Sequence, residues 1–498
     1  MMFSFLKDKI GSDKLQHPLV LAALFIVTII LGIIIARGGI MIAAAMVVLF
    51  PVIIYFNRFF SNPRVGIYTI VILGFIAIGL TRYVQNIPFG LSVDGFLVLT
   101  YVAVFFRYFN DGIKWQNANR DLTYLSIIWF AYSILQLVNP EALSRTAWFY
   151  AMRGISLYML LLIPLSFMIF NRLRFLYAFL YLWGIFSILA TLKGLQQLYI
   201  GPDSAEQYWL DTVGAVTHIL FGELRVFSFF SDAGQFGAAQ GAAGAVGLLV
   251  ALNIKGLHNK VFFIIMGVMG LWGMMISGTR GAMIVPMVAG LTYIVHRKNF
   301  RVIVIGGLLL ALVYAFFAYT YIGQSNSQIR RMRTAFRPEE DESYLVRLEN
   351  RRILSGYLVS KPFGGGIGSA GDWGKRFSPQ GFLAQIATDS WYVQIWAEQG
   401  IIGLILHLSI LSYILIKGSY LIMFKLKERE LRGIMSALMA GFTGIMGASY
   451  GNGVLGQMPT GILMYISWAM IFMSRQLERE YTYLVSKGKS PWALDNNT

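Results

Sequence analysis

The chain has 498 residues, a formal net charge of +17 and no cysteine. Hydrophobic residues make up 57% of it and charged residues only 13%, against about 25% charged residues in soluble domains. This composition excludes a soluble domain and predicts an all-α polytopic membrane protein. The absence of cysteine excludes disulfides, cysteine-ligated zinc and thiol chemistry.

The apolar runs predict about fourteen transmembrane helices, because a helix needs about 20 apolar residues to cross a bilayer. Residues 1–17 are too polar for a cleaved signal peptide, so we expect the first span to remain as an anchor. The predicted spans are 18–36, 39–57, 65–82, 90–109, 121–138, 147–170, 174–200, 233–254, 261–276, 281–296, 302–322, 387–417, 433–450 and 460–474.

The distribution of lysine and arginine predicts that both termini lie in the cytoplasm. In that orientation every inner loop is basic, as the positive-inside rule requires, and most short outer loops hold one arginine or none. The exception is the outer segment 323–387, which is rich in basic residues. Long loops can lie outside the cell despite their positive charge, because the positive-inside rule applies to short loops. The basic residues of this segment are Arg330, Arg331, Arg333, Arg337, Arg347, Arg351, Arg352, Lys361, Lys375 and Arg376.

Two interpretations of this basic outer segment stay open. It is either a solvated loop, partly neutralised by the acidic run 339–342, or a surface that binds anions. The second interpretation rests on the fit between the forked guanidinium group and phosphate oxygens.

Ionisable residues inside predicted spans are costly in hydrocarbon and are therefore functional candidates. Asp94, Arg153, Lys193, Asp389 and Glu398 all lie nearer the outer than the inner end of their predicted helix. We expect them to converge on one chamber that opens to the outer side. A carrier would more often place such groups near the middle of the membrane.

Three polar segments border the same predicted chamber. The first is 225–237 (RVFSFFSDAGQFG), which contains Arg225 and in which Ser231 or Asp232 is expected to cap the next helix. The second is the turn 277–281 (SGTRG), whose Arg280 is either a preorganised ligand or an interfacial anchor. The third runs from the arginine- and glycine-rich stretch 347–368 to the polar start of the span at 388–403.

These segments in this order resemble the O-antigen ligase/polymerase superfamily. The resemblance covers about 225–415 and rests on the SGTRG turn, on RLENR at 347–351 followed by Pro362 and the glycines of 364–368, and on Gln394, Glu398, Gly400 and Gly403 at their spacing. It implies a metal-independent, inverting glycosyltransferase of GT-C type. Such enzymes take a glycan from undecaprenyl diphosphate at the outer face of the bacterial inner membrane.

The resemblance also implies roles for particular residues. It places the diphosphate-binding arginines of the family at Arg280 and Arg347. The chain departs from the family pattern at Arg351, where an aromatic residue is usual, and at Asp389-Ser390, where His-Asn is usual. A carboxylate can replace imidazole as a base, so Asp389 is the predicted base. Its alternative role is an N-cap of the following helix, in competition with Thr388 or Ser390.

The predicted site therefore has catalytic residues and residues that bind the diphosphate or the glycan, without a metal or a cofactor. The catalytic residues are Asp389, Arg280 and Arg347, with His218 as a reserve base. The binding residues are Arg225, Arg280, Arg347, Arg351, Arg352, Tyr392, Gln394 and Glu398. The predicted regions are N-terminal helices 1–224, a family core 225–417 and C-terminal helices 418–498.

Three functions stay open for this site. A polymerase of surface-polysaccharide repeat units is favoured, a ligase that joins the glycan to lipid A-core is the alternative, and a flippase for lipid-linked glycans without chemistry is the third. The expected partners are the lipid-linked donor, a saccharide or lipid A-core acceptor, the bilayer and a possible chain-length regulator. No nucleic acid is expected.

Overall fold

A computed structural model describes residues 47–84, 87–109, 112–220, 222–325, 327–336 and 342–492, together with the isolated positions 18, 22, 25, 26 and 29. The chain divides into two compact units, Met1–Pro63 and Arg64–Thr498. In the first unit the structure describes helix α1, Val47–Ser61. All features below belong to the second unit.

The second unit is built almost entirely from helices. They begin with α2 Arg64–Leu80, α3 Gly90–Tyr108, α4 Asp121–Leu135, α5 Arg145–Ile169, α6 Leu173–Tyr199, α7 Ser204–Trp209, α8 Ala215–His218, α9 Ala233–Ala251 and α10 Leu257–Ile276. They continue with α11 Ile284–Arg297, α12 Phe300–Tyr319, α13 Ser327–Arg333, α14 Glu342–Leu358, α15 Gly371–Phe377, α16 Phe382–Gln385, α17 Trp391–Tyr420, α18 Arg429–Ala448, α19 Thr460–Phe472 and α20 Ser474–Ser486.

One short antiparallel hairpin interrupts the helices. Its strands β1, Ile219–Leu220, and β2, Glu223–Leu224, pair just before the 225–237 segment. Tight 3-10 turns at Trp115–Ala118, Gln136–Val138, Arg280–Met283, Thr334–Phe336 and Val454–Gly456 extend or connect helices. Single π-helical turns occur at Arg153–Leu157 inside α5, at Leu210–Gly214 and at Leu421–Lys425.

The all-α polytopic prediction is confirmed, because eight helices in the described part of the chain are long and apolar enough to cross a membrane. They are Gly90–Tyr108, Asp121–Val138, Arg145–Ile169, Leu173–Tyr199, Leu257–Ile276, Phe300–Tyr319, Trp391–Lys425 and Arg429–Ala448, and each coincides with a predicted span. The apolar helices α1, α2 and α19 are shorter.

Three further predicted spans do not correspond to any of the eight long apolar helices. The predicted span 18–36 lies outside the described residues apart from five isolated positions. Those at 233–254 and 281–296 correspond to α9 and α11, which are not among the eight long apolar helices. The total of fourteen spans and the GT-C type therefore stay predictions.

Helix α9 lies at the centre of the bundle because its small residues allow neighbouring backbones to approach closely. Every residue from position 233 to position 247 is buried. A Cβ atom at Gly244 would lie 2.8 Å from the amide nitrogen of Leu271, and one at Gly247 would lie 2.8 Å from that of Gly267 on α10. Contact between small residues is how helices pack tightly in lipid.

Helix α17 contains a break at Gly400, which has a φ of 68° that only glycine adopts readily. The glycine-rich loop 361–368 packs into this break. Gly365 donates its backbone N–H to the carbonyl oxygen of Ala397 at 2.9 Å, and Gly366 donates to Glu398 at 2.8 Å. A Cβ atom at Gly400 would lie 1.9 Å from a carbonyl oxygen of the loop. These glycines serve close packing of backbone on backbone.

The loop 449–459, which joins α18 to α19, packs against the beginnings of two other helices. Trp391 at the start of α17 donates its backbone N–H to the carbonyl oxygen of Ser449 at 3.0 Å. Gln235 near the start of α9 donates its side-chain amide to the carbonyl oxygen of Met458 at 2.8 Å. This loop therefore lies where the starts of α9 and α17 come together.

Candidate functional site

A cavity of about 260 Å³ opens where these helix ends meet, and we refer to it as the arginine cavity. It is lined by Arg225, Gly278, Thr279, Arg280, Gly281, Arg331, Arg347, Asp389, Gly451 and Asn452. Four of these were predicted as site residues from the sequence. Arg331, Thr279 and Asn452 were not. Four guanidinium groups and one carboxylate thus face one small space.

Arg280 lies on the SGTRG turn, which hydrogen bonds hold firmly in place. The hydroxyl of Thr279 donates to the carbonyl oxygen of Ala233 at 2.9 Å and so attaches the turn to the start of α9. Gly278 adopts a φ of 58°. The guanidinium of Arg280 donates to the hydroxyl of Thr334 at 3.1 Å. A rigid turn that carries one arginine supports the interpretation of Arg280 as a preorganised ligand.

Arg225 enters the cavity from the segment that follows the β-hairpin. Its guanidinium donates to the carbonyl oxygen of Thr217 and to the hydroxyl of Thr279, both at 3.3 Å. Burial lowers the pKa of Arg225, Asp232 opposes this shift, and the charges of Arg280 and Arg347 add to it. Like charges held this close favour an anion between them.

Arg331 completes the cluster from the short helix α13. Burial, and then the charges of Arg225 and Arg280, lower its pKa to about 10. Its neighbour Arg330 is exposed. Both arginines belong to the basic outer segment, and no sequence signal separates them, because a seven-residue helix has no clear periodicity.

Arg347 and Asp389 form an ion pair at the edge of the cavity. The Nε atom of Arg347 lies 3.0 Å from Oδ2 of Asp389, and the two side chains are 33% and 48% exposed. Ser390 occupies the N-cap position of α17 and makes no side-chain capping bond. The alternative role of Asp389 as an N-cap is therefore wrong. By contrast, Asp232 caps α9 through the backbone N–H of Gln235 at 2.9 Å, as the sequence predicted.

Arg82 is a positioning residue that the sequence analysis missed. Its buried guanidinium lies between the rings of Trp209 and Phe227, 4.6 and 4.3 Å from their centroids. It donates to the carbonyl oxygen of Ser228 at 2.9 Å and to that of Phe230. Arg82 thereby holds the segment that carries Arg225.

Five other predicted binding residues do not line the arginine cavity, and one of them, Gln394, lines a second cavity described below. Arg351 donates to the hydroxyl of Tyr450 at 2.6 Å and lies over its ring. Arg352 is exposed, with Glu349 at 3.9 Å. The hydroxyl of Tyr392 donates to a backbone carbonyl at 2.8 Å. Glu398 is fully buried and accepts from the backbone of the glycine-rich region at 3.3 Å. Their roles in binding stay predictions.

The expected convergence of the charged residues within spans on one chamber is wrong. Arg153 pairs with Asp94 at 2.6 Å. Lys193 pairs with Asp203 at 2.8 Å and with Glu206 at 3.1 Å. Among the five residues, all of which the structure describes, only Asp389 lines the arginine cavity. Asp94 and Arg153 pair with each other and Lys193 pairs with its own carboxylates, because an unpaired charge in a low-dielectric interior is costly. Glu398 instead accepts a hydrogen bond from a backbone N–H.

The reserve base His218 lies outside the cavity lining. It is buried, with the rings of Trp209 and Phe227 each 4.9 Å from it, and Nδ1 lies 3.1 Å from the carbonyl oxygen of Gly214. Burial lowers its pKa below 6.5. Its surroundings are those of a packed, neutral histidine. The described residues also contain no group of three or more histidine, aspartate or glutamate side chains placed to hold a metal ion.

A second cavity, of about 400 Å³, contains the predicted residue Gln394, and we refer to it as the aromatic cavity. Its lining is Ile78, Thr81, Pro88, Gly90, Leu91, Tyr150, Ala151, Arg153, Gly154, Ile155, Tyr158, Ser231, Trp373, Arg376, Gln394, Gly456, Gln457 and Met458. Both cavities use the 449–459 loop and the 225–232 segment as walls.

Comparison with known protein families gives a match in the central part of the chain. Residues 261–408 match the family model described as O-Antigen ligase, and this confirms the resemblance to the O-antigen ligase/polymerase superfamily. The matched segment includes Arg280, Arg331, Arg347 and Asp389, whereas Arg225 lies before it. No curated protein matches the chain. The match supports a membrane glycosyltransferase of the ligase or polymerase type, acting on a lipid-linked glycan and an acceptor.

Proposed function

We propose that this chain is an inverting, metal-independent glycosyltransferase that moves a glycan from undecaprenyl diphosphate to an acceptor sugar and so polymerises repeat units of a surface polysaccharide. The reaction takes place at the periplasmic side of the bacterial inner membrane. The distribution of lysine and arginine along the sequence supports this orientation.

The observation that carries the proposal is the charge of the arginine cavity. Arg225, Arg280, Arg331 and Arg347 face it together with a single carboxylate among its lining residues, so its net charge is strongly positive. A diphosphate carries several negative charges and many acceptor oxygens, which forked guanidinium groups bind at two points. Such a cluster of positive charges does not stabilise the fold itself, because like charges in a half-buried space repel one another.

The chemical step follows from the position of the one carboxylate. The acceptor hydroxyl attacks the anomeric carbon from the face opposite to the diphosphate, which gives inversion. The new C–O bond forms while the bond from the anomeric carbon to the diphosphate oxygen breaks. Its electron pair leaves with the diphosphate, where the arginines stabilise the charge that develops. Asp389 takes the hydroxyl proton.

Arg347 links the base to the leaving group in this scheme. It is within hydrogen-bonding distance of Asp389 and lines the space assigned to the diphosphate. When the donor binds, the guanidinium can share its N–H groups between the phosphate and the carboxylate. The carboxylate then keeps its negative charge but gains the freedom to accept a proton.

A ligase that joins the glycan to lipid A-core is the second candidate function, because the matching family model is described as O-Antigen ligase. The residues of the arginine cavity serve both reactions equally, since the donor is the same and only the acceptor differs. Asp389-Ser390 in place of the His-Asn that the resemblance implies favours the polymerase.

The test uses purified protein in nanodiscs with a synthetic lipid diphosphate-linked repeat unit. Release of undecaprenyl diphosphate and the length of the glycan product are measured. We expect a ladder of lengthening glycans, and we expect Asp389→Asn and Arg347→Ala each to lower turnover by about 100- to 1,000-fold. Arg330→Gln, an exposed arginine next to Arg331, is the matched control and should keep full activity.

Two other outcomes would indicate a different function. Product that forms only when lipid A-core is supplied would make the chain a ligase. Donor binding without product under either condition, with glycan still moved across the bilayer of a proteoliposome, would make it a carrier. Loss of donor binding in Arg347→Ala but not in Asp389→Asn would separate binding from chemistry.

A further inference from the structure

The aromatic cavity lies next to the arginine cavity, with common walls between them. The segment 225–232 gives Arg225 to one cavity and Ser231 to the other. The loop 449–459 gives Asn452 to the first cavity and Gln457 to the second. Two segments of the chain therefore contribute residues to both cavities.

The lining of the aromatic cavity suits a ligand with one apolar face and a polar edge. The rings of Tyr150 and Trp373 lie almost parallel, with centroids 5.0 Å apart and an angle of 16° between them. Phe377, one turn after Trp373, also lies parallel to Tyr150. A pyranose ring presents C–H groups on its faces and hydroxyls around its edge. Ligand sites of this size commonly combine apolar walls with a few placed polar groups.

One polar atom in this cavity lacks the partner it needs. Oε1 of Gln457 is buried, and within the described part of the chain it has no hydrogen-bond donor. Almost all buried polar atoms in native proteins are hydrogen-bonded, so an exception calls for an explanation. A hydroxyl group of a bound ligand would donate to this oxygen once the Gln457 side chain turns it towards the cavity. A hydrocarbon chain in the same place would leave it unsatisfied.

The charges of the aromatic cavity argue against a second anion site. Arg153, which lines it, is neutralised by Asp94 at 2.6 Å. Arg376 on α15 is exposed at its edge and lies over the ring of Phe377. This cavity therefore lacks the cluster of positive charges that marks its neighbour, and a neutral ligand fits it better than a phosphate.

We infer that the aromatic cavity binds the acceptor saccharide, with an aromatic face under one sugar ring and Gln457 and Gln394 hydrogen-bonding its hydroxyls. This inference rests on the proposed function and adds the second substrate to it. The sugar presents one hydroxyl past the 449–459 loop towards Asp389. That hydroxyl supplies the oxygen of the new glycosidic bond and gives its proton to the carboxylate.

The first test measures binding alone. The probe is the methyl glycoside of the host's own repeat unit, which has no lipid and no diphosphate, and its binding to full-length protein in nanodiscs is followed by saturation-transfer NMR. We expect Trp373→Leu and Gln457→Leu to weaken binding by about ten-fold or more, with donor affinity unchanged. Lys375→Ala on the same helix as Trp373, and Gln380→Leu, which is exposed, are the matched controls.

The second test measures transfer and separates the two proposals. We expect Trp373→Leu and Gln457→Leu to raise the KM for the glycoside while the slow release of undecaprenyl diphosphate to water, without acceptor, keeps the wild-type rate. Product made with an unchanged acceptor KM would overturn the acceptor site but leave the proposed function in place. Glycoside binding that depends on Trp373, without any transfer by the wild type, would overturn the proposed function and leave a saccharide site.

The isoprenoid tail of the donor is the competing occupant of this cavity. It predicts that Trp373→Leu and Gln457→Leu weaken binding of long-chain donors more than that of short-chain donors, with no effect on the glycoside. That result would overturn the inference. The melting curve of every variant shows whether it is correctly folded. Trp373→Phe keeps an aromatic face and should restore most of the binding that Trp373→Leu loses.

Discussion

The arginine cavity and the aromatic cavity are built partly from the same segments, but their arginines have different electrostatic surroundings. In the first, four arginines face one carboxylate, and burial with mutual repulsion lowers the pKa of Arg225 and Arg331. In the second, Arg153 has its own partner in Asp94. A cluster of like positive charges favours an anionic ligand, whereas an arginine with its own carboxylate partner indicates a structural contact. The difference assigns a charged ligand to one cavity and a neutral ligand to the other.

Removal of one arginine from the arginine cavity should have the largest effect on activity and none on folding. For Arg331→Gln we expect turnover to fall by about 100-fold because the leaving diphosphate loses a ligand. The melting temperature should stay level or rise, since a like charge is removed. Initial rates and fluorescence melting curves measure both quantities. Arg330→Gln serves as the control. An equal loss of activity in that variant would show that the net charge of the segment matters and not the position of Arg331 in the cavity.

Removal of Asp94, the carboxylate partner of Arg153, should have the opposite consequence. Asp94→Asn leaves the largely buried Arg153 unpaired, and we expect the free energy of unfolding to fall by about 2 kcal/mol. The double variant Asp94→Asn/Arg153→Met should regain most of this loss. Melting curves in nanodiscs provide the measurement. Full stability of Asp94→Asn would show that Arg153 does not need its partner and would weaken the contrast between the cavities.

Salt should separate the two ligands. Raising the ionic strength from about 0.1 M to about 0.5 M should weaken donor binding by about three- to ten-fold, because the arginines at the cavity mouth are partly exposed and are screened. Binding of the neutral methyl glycoside should change by less than about two-fold over the same range. Titrations of both ligands at two salt concentrations suffice. The same salt dependence for both would contradict the assignment of opposite charge character.

The smallest expected effect concerns His218, which lies behind Arg225. Burial lowers its pKa in the folded state below 6.5, so the unfolded chain takes up a proton more readily. Stability is therefore complete above pH 6.5 and is lost as the pH falls below that value towards the folded pKa. His218→Gln should remove this part of the acid sensitivity.

Melting curves at about pH 7.5 and about pH 5.5 compare the two proteins. The variant should lose less stability between these two conditions than the wild type. Its pH profile of turnover should keep the wild-type acid limb, because Asp389 is the proposed base. Loss of that acid limb in His218→Gln would instead make the histidine the base.

The membrane architecture was largely predictable because it depends on local sequence. Eight of the predicted spans coincide with long apolar helices, since a long apolar run has few stable alternatives in a bilayer. The glycine- and alanine-rich helix α9 was harder to interpret. Its composition reports close packing against α10, and that packing depends on residues outside the helix.

The sequence by itself also determined part of the site. Arg280 lies on a turn of four or five residues and so has little conformational freedom. Asp389 is a charged residue at the polar start of a long span. Local sequence therefore predicted both as candidate site residues. The resemblance added Arg347. These three residues and Arg225, all predicted from the sequence, line one cavity.

Only the tertiary structure decided which other groups join them. Arg331 and Arg330 are adjacent in the sequence and equivalent in composition, and the packing of α13 alone decides which faces the cavity. Asn452 and Gln457 come from a loop that no motif marks. The aromatic cavity forms only when α5, α15 and α17 meet. Contacts between distant segments depend on how whole helices pack, which local sequence patterns do not encode.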